Sequence, residues 1–439
     1  MKIRFCYIGL LAFLSLSTAH GQKVYGLKDC IAIGLEKNFS ILIVRNSETI
    51  SKNNFTLGNA GFLPTVDLNG RQSGTLNNTT LNLTDGSQTT SNGVFNTTTN
   101  GSVALGMTIF NGFNAVTTYK KLNELKQVGE LNTRMAIENL IADIVTGYYN
   151  YILQVQLMNN LKYALTLSGE RLRIDEDRYL WGSGSKLEIL QSRVYVNADS
   201  SNLSRQNEVI RSAQIRLNEM MAVENLGIEF ESKDTTIDVN PGLIYEKLLE
   251  ETLVENTSLL IASKNKTISE YDYKLIVSRS YPYLNFSGGY SYNLNTYTKS
   301  VNKSQITNGM NYGLTLGVNL FDGYNQRRSI HNSSIERDSK ELRYREVEQG
   351  VKADLLTIYS AYSNYLRLIS LEEQNFQTAN ENLDIALERY KLGNLSGIDL
   401  REVQKSLLDA RERLISAHYQ AKLAEVSLLL ISGRIMNYY

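Results

Sequence analysis

Proline is nearly missing from this chain: three in 439 residues, alongside two cysteines, three histidines and one tryptophan. Proline breaks helices by removing a backbone donor and clashing with the preceding turn, so its scarcity permits very long uninterrupted helices. The histidines beyond the N-terminal segment, His331 and His418, lie far apart in sequence and suggest neither a metal cluster nor a catalytic triad. A surplus of either charge is lacking too, since 45 Lys and Arg balance 45 Asp and Glu. Phosphate recognition needs a basic surplus, so nucleic acid is not an expected partner. Gly182-Ser-Gly-Ser-Lys186 lacks the spacing of a phosphate loop. Ser183-x-x-Lys186 is too short a pattern to carry acyl-enzyme chemistry, and no helix-borne His-Glu-x-x-His occurs. Neither an enzyme nor a cofactor is expected.

The N-terminus reads as an export signal. Lys2 and Arg4 precede a mostly apolar Ile8–Leu16, and Ala19 and Gly21 take the −3 and −1 positions of a cut before Gln22. The apolar run is too short to span a bilayer, and no later stretch holds 18 consecutive apolar residues. Removing residues 1–21 takes two basic residues and no acids, so the balance falls to −2. Cys30 is then the lone cysteine, unable to form an internal disulfide, and it reads as an inert helix residue.

The rest is written twice. Phe110-Asn-Gly-Phe-Asn returns 211 residues on as Phe321-Asp-Gly-Tyr-Asn, and the segment from Tyr179 returns at the same offset from Tyr390. Pro64 and Pro282, 218 apart, mark one position seen twice. The expected units are a first repeat, 22–230, and a second, 231–439. Each opens with a helical segment, roughly 27–58 and 245–279. Two strands follow, about 62–76 and 98–111, then 281–297 and 309–321. A long helical hairpin closes each unit, 113–222 and 324–433.

The strand zones alternate with period two. Val103, Leu105, Met107 and Ile109 alternate with Ala104, Gly106 and Thr108, and Leu314, Leu316, Val318 and Leu320 with Thr315, Gly317 and Asn319. A sandwich packed on a helix has such a pattern. So does a transmembrane barrel with lipid on one face and water on the other. Polar Asn/Thr/Ser/Gly stretches near 77–98 and 298–308 are expected to join the pairs. Four strands cannot close a barrel, so on the second reading several chains share it.

The long segments are more decisive. Leu400, Val403, Leu407, Ala410, Leu414, Ala417, Ala421, Ala424, Leu428 and Ile431 step by three and four throughout, and a similar run starts at Val351. Sustained spacing of this kind is a coiled-coil seam. Gly/Ser turns at 182–186 and 393–397 fold each copy into a hairpin.

The most specific motifs are Tyr179-x-x-Gly182-x-x-Ser185-x-Leu187-Glu188 and Tyr390-x-x-Gly393-x-x-Ser396-x-Ile398-Asp399-Leu400-x-Glu402. With the signal, the duplication and the Phe-Asn-Gly and Phe-Asp-Gly turns, the mature chain resembles the TolC-like outer membrane efflux protein family. The resemblance implies an α+β, mainly α fold in a homotrimer. Three chains of four strands make a 12-strand outer-membrane β-barrel, continued by a periplasmic α-helical coiled-coil tunnel. It implies a passive exit duct of a Gram-negative tripartite efflux or type I secretion system, opened by a periplasmic adaptor and an inner-membrane pump or secretion ATPase. Three times four strands independently gives a closed, even-numbered barrel in outer-membrane lipid.

The resemblance also implies roles. Glu188, Asp399 and Glu402 fall on the pore constriction, Tyr390 on the closed-state gate, and Trp181-Gly182-Ser183 and Leu392-Gly393-Asn394 on the adaptor contact. Threefold rings of acids favour cations and, being crowded like charges, imply pH-sensitive gating. The family's arginine two residues after the turn glycine is absent, with Gly184 and Leu395 in its place, which leaves Lys186 and Arg401 as substitutes. A plainer reading stands beside each role: the glycines are left-handed helix caps, and the acids satisfy a helix N-terminus. The competing reading of the whole chain is a secreted trimeric coiled-coil fibre or adhesin; a periplasmic enzyme on a helical scaffold comes third.

Overall fold

The computed structural model describes residues 23–438, so the expected signal peptide, 1–21, lies outside the described residues. In the first half come β1 (Lys23–Tyr25), α1 (Leu27–Lys37), α2 (Phe39–Asn54), β2 (Thr65–Asn82), β3 (Gln88–Asn111), α3 (Asn114–Leu180) and α4 (Lys186–Met220). The second half runs β4 (Phe230–Ser232), α5 (Tyr245–Glu255), α6 (Thr257–Ser278), β5 (Tyr283–Tyr297), β6 (Ser304–Gly317), α7 (Asn325–Lys391) and α8 (Gly397–Ile431), with a final 3-10 turn, Ile435–Tyr438. The duplication is visible in the backbone. Helices α3 and α7 both have 67 residues and α4 and α8 both have 35. Among the described residues no helix is long and apolar enough to cross a membrane.

The segments expected as single helices over 27–58 and 245–279 are each two helices. The backbone turns extended at Asn38 and Asn256. Asn256 caps α6 by accepting from Leu259 N at 3.0 Å, and Asn38 accepts from Ser40 N at 2.9 Å. A short side-chain acceptor competes with the helix ladder, which is why asparagine starts a new helix here.

Two compact units form. One contains residues 42–136 and 250–354, and holds the sheet. Its strands are all antiparallel in the order β2-β3-β5-β6, with Leu68 opposite Val103, Val103 opposite Tyr290 and Tyr290 opposite Met310. The stretch expected as a connection near 77–98 is mostly paired strand. Only 83–87 turns, around Gly86 at φ 82°, closed by Leu83 N donating to Ser87 O at 2.9 Å. Threonine is a good strand former without apolar alternation, so strand continues where the pattern fades. The last strand runs Ser304–Gly317 rather than 309–321.

The other unit contains residues 23–41, 137–249 and 355–438. Ile141, Ile144, Val145, Tyr148 and Ile152 of α3 are buried in it, as are Leu217 and Phe230. Parallel β1 and β4 pair Lys23 with Phe230. Tyrosines tie the chain between the repeats to the helices at matching places: Tyr151 Oη donates to Phe230 O at 3.1 Å, and 211 residues on Tyr362 Oη donates to Asn240 O. On α8 the expected seam is the buried face, with Leu400, Leu407, Ala410, Ala417, Ala421, Ala424 and Leu428 all inside.

Candidate gate at the hairpin turns

Both hairpin turns, which lie in the second unit, are built from the same three parts. Gly182 (φ 74°) and Gly393 (φ 78°) take the left-handed conformation that closes α3 and α7. Gly182 N donates to Tyr179 O at 3.0 Å and Ser183 N to Arg178 O at 2.9 Å, with Gly393 N to Tyr390 O and Asn394 N to Arg389 O as counterparts. This pair of bonds is the Schellman closure, which satisfies the last free carbonyls of a helix. Ser185 and Ser396 then start the next helix, accepting from Glu188 N at 3.3 Å and Asp399 N at 3.2 Å. The acids answer: Glu188 Oε2 accepts from Ser185 N at 2.7 Å, and Asp399 Oδ2 from Ser396 Oγ at 2.7 Å. Glu188 and Asp399 are thus engaged in capping, while Glu402, one turn further, is exposed and makes no ion pair among the described residues.

The turn surface is apolar where solvent meets it. Trp181 is 86% exposed and Leu392 74%, both at the crest. Beneath lies a cluster of Leu167, Leu383, Ala386, Tyr390, Leu400 and Leu407, against which Leu395 packs. Leu395 therefore extends the core at the place where the resemblance puts an arginine.

The positive charge comes instead from α3. Arg171 is 2% exposed, with its Nε 3.8 Å from Asp175 Oδ2. The Asp175 carboxylate also accepts hydrogen bonds from Tyr390 Oη and from Ser192 Oγ. Burial first, then the hydrogen bond to Asp175, push the Tyr390 phenol up to about 12, so the hydroxyl remains a donor. The Arg171 guanidinium lies 5.0 Å from the Tyr195 ring centre, and Arg401 lies 4.9 Å from the same ring. Arg401 makes a two-pronged bond to the buried Asp199, at 3.0 and 2.9 Å. Lys186 is exposed and makes no ion pair among the described residues. A glycine at 397 makes room, since a Cβ there would sit 2.5 Å from Arg171 Nη2. The network thereby links α3, α4, α7 and α8. It is not duplicated: 211 residues on from Arg171 and Asp175 stand Asn382 and Ala386.

Arg171, Asp175, Ser192, Tyr195 and Asp199 were not singled out from sequence. The signal available was charge on a seam: Ala164, Leu167, Arg171, Asp175 and Arg178 continue the three-four spacing, and only its first members are apolar. Among the described residues no group of three His, Cys, Asp or Glu side chains forms a metal site.

Residues 248–434 match the model of the family described as outer membrane efflux protein. Over 198 residues the chain is 25% identical to Outer membrane protein TolC of Vibrio cholerae serotype O1 (strain ATCC 39315 / El Tor Inaba N16961). Over that stretch the chain is similar to TolC. The alignment covers 43% of this chain and 44% of that protein, so the chain spans less than half the length of the curated relative it matches. Solved structures share the fold of this TolC-like chain at low identity. CusC has a TM-score of 0.77 at 14% identity, covering 93% of this chain and 92% of the other. The outer membrane protein VceC from Vibrio cholerae has 0.73 at 15%, covering 93% and 96%. Among the described residues the TolC-like chain is mainly α with one four-stranded sheet.

Proposed function

We propose that three copies of this chain form the passive exit duct of an efflux or type I secretion system, opened by a periplasmic adaptor and an inner-membrane pump or secretion ATPase. The observation that carries the reading is the sheet's apolar face. Leu68, Met310 and Tyr312 on it are all more than 80% exposed, and no charged residue lies on that face in any of the four strands. Lipid suits such a face, whereas water does not. The sheet also ends in two unpaired edges, β2 and β6, and hydrocarbon tolerates no open edge. Three chains joined edge to edge close twelve strands, and the small polar face then lines the lumen.

Within this duct Tyr390 and Asp175 hold the closed state, with Arg171 as the buried cation. Trp181-Gly182-Ser183 and Leu392-Gly393-Asn394 present apolar crests for an adaptor. The acids at the constriction are Glu188, Asp399 and Glu402, with Glu402 the freest to meet permeating ions. The chain supplies no chemistry; energy comes from its partners. Purified protein in planar lipid bilayers is expected to conduct, and Glu402→Ala with Asp399→Ala to lower cation preference. A protein that leaves the cell envelope without detergent and opens no channel would instead be a fibre.

A further inference from the structure

The four strands contain two charged side chains, Asp67 and Arg71, both in β2 and both on the small polar face. Arg71 stands opposite Asn100, which stands opposite Asn293, and that opposite Thr307. Asp67 stands in a row with Ala104, Gly289 and Asn311. The rest of this face is mostly Asn, Ser, Thr, Gly and Ala, so Arg71 is its longest cationic reach and its only one. It is exposed, with no ion pair or hydrogen bond to another described side chain. Asp67 does not neutralise it locally. Four steps along the strand separate them by about 13 Å, beyond a salt bridge and beyond the screening length of about 8 Å at physiological salt. Six residues beyond Thr65, Arg71 lies about 20 Å along β2 from its first residue, well inside an apolar band about 25 Å tall.

We infer that Arg71 is the charge-selective residue of the barrel lumen: a threefold ring of guanidiniums that favours anionic groups in passage. This rests on the duct reading above. The acids at the hairpin turns favour cations, so the duct carries two filters of opposite sign in series. Anionic groups on an exported substrate are held back at the acids and drawn on at Arg71.

The test is the reversal potential of the full-length protein in planar bilayers under a potassium chloride gradient. Arg71→Gln is expected to raise the potassium-to-chloride permeability ratio by about threefold or more, the effect of a field near one kT in a charged cleft. Arg71→Glu raises it further, and Arg71→Lys leaves it near wild type. The differences shrink at about 1 M salt, where the screening length is about 3 Å. Because Cys30 is fully buried, Arg71→Cys in protein lacking residues 1–21, and with them Cys6, gives one addressable thiol. A cationic methanethiosulfonate then restores wild-type selectivity and a neutral one does not. Open channels with unchanged selectivity in Arg71→Glu overturn the inference alone. Absence of any channel in the wild-type protein overturns the duct reading and this inference with it.

Discussion

Asp175 is where a single substitution reaches furthest. Its carboxylate is buried and accepts from Tyr390 Oη and Ser192 Oγ, with Arg171 alongside. Tyr390→Phe removes one hydrogen bond to a charged acceptor, about 1.5–3 kcal/mol, or roughly 10- to 150-fold in the closing equilibrium of the hairpin. Asp175→Ala does more. It strips the counter-ion from a guanidinium that is 2% exposed and whose Nε and Nη1 already lack hydrogen-bond partners. Breaking a buried pair from one side costs about 3–5 kcal/mol, whereas replacing both partners by apolar groups is often neutral. The double variant Arg171→Met/Asp175→Ala should therefore be more stable than Asp175→Ala alone. Hydrogen exchange over residues 165–178 and 385–400 reads the local opening, thermal unfolding the global cost, and single-channel conductance the effect on closure. The control is Glu176→Ala, which removes only an exposed pair to Arg193 at 3.2 Å, worth about 1 kcal/mol or less. If Asp175→Ala and Glu176→Ala lose equal stability and conduct equally, the buried network does not hold the hairpin.

Three further outcomes follow from the same geometry. The Tyr390 phenol is raised from 10.0 to about 12, so its contribution is complete below pH 10 and is lost as pH rises through 12; hydrogen exchange near the turns should accelerate there, less so in Tyr390→Phe. Cys30 is fully buried, and desolvation pushes its thiol up to about 12, so native protein at pH 8 should resist iodoacetamide while denatured protein reacts; ready labelling of native protein would contradict the packing. Gly112 and Gly323 repeat one turn at φ 63° and 70°, yet a Cβ at 112 would collide with Ser278 O and at 323 would meet only Asn325 Nδ2 at 3.7 Å. Alanine at 112 should thus lower the melting temperature clearly more than alanine at 323, where only the left-handed strain of about 1 kcal/mol applies.

What was legible in the sequence was whatever repeats or alternates over short range. The paired Phe-x-Gly and Tyr-x-x-Gly-x-x-Ser motifs marked both hairpins because each residue serves the backbone beside it. Glycine closes one helix, serine opens the next, and the acid completes the cap. The same economy obscured function. Glu188 and Asp399 fit a constriction and a capping box equally well by pattern, and the structure shows the capping bonds. The network beneath was hidden by distance, since Asp175 meets Tyr390 across 215 residues and Asp199 meets Arg401 across 202. Strand ends were missed for a different reason. From Asn77 to Asn82 threonine and asparagine predominate, so no apolar face signals pairing although the backbone pairs.

The copies agree in the lengths of their long helices and disagree in the chemistry beneath the hairpin turns. Tyr390 is buried against Asp175, while its counterpart Tyr179 is exposed, and the Asp175 position reads Ala386 in the other copy. In the proposed trimer six hairpins have nearly one shape, but one polar latch per chain, with its acid from the first copy and its phenol from the second, joins them in pairs. The tip is then sixfold to the eye and threefold to a partner. An adaptor approaching it meets two classes of landing site in alternation, one crested by Trp181 and one by Leu392, and engaging one class leaves the other as a fixed frame.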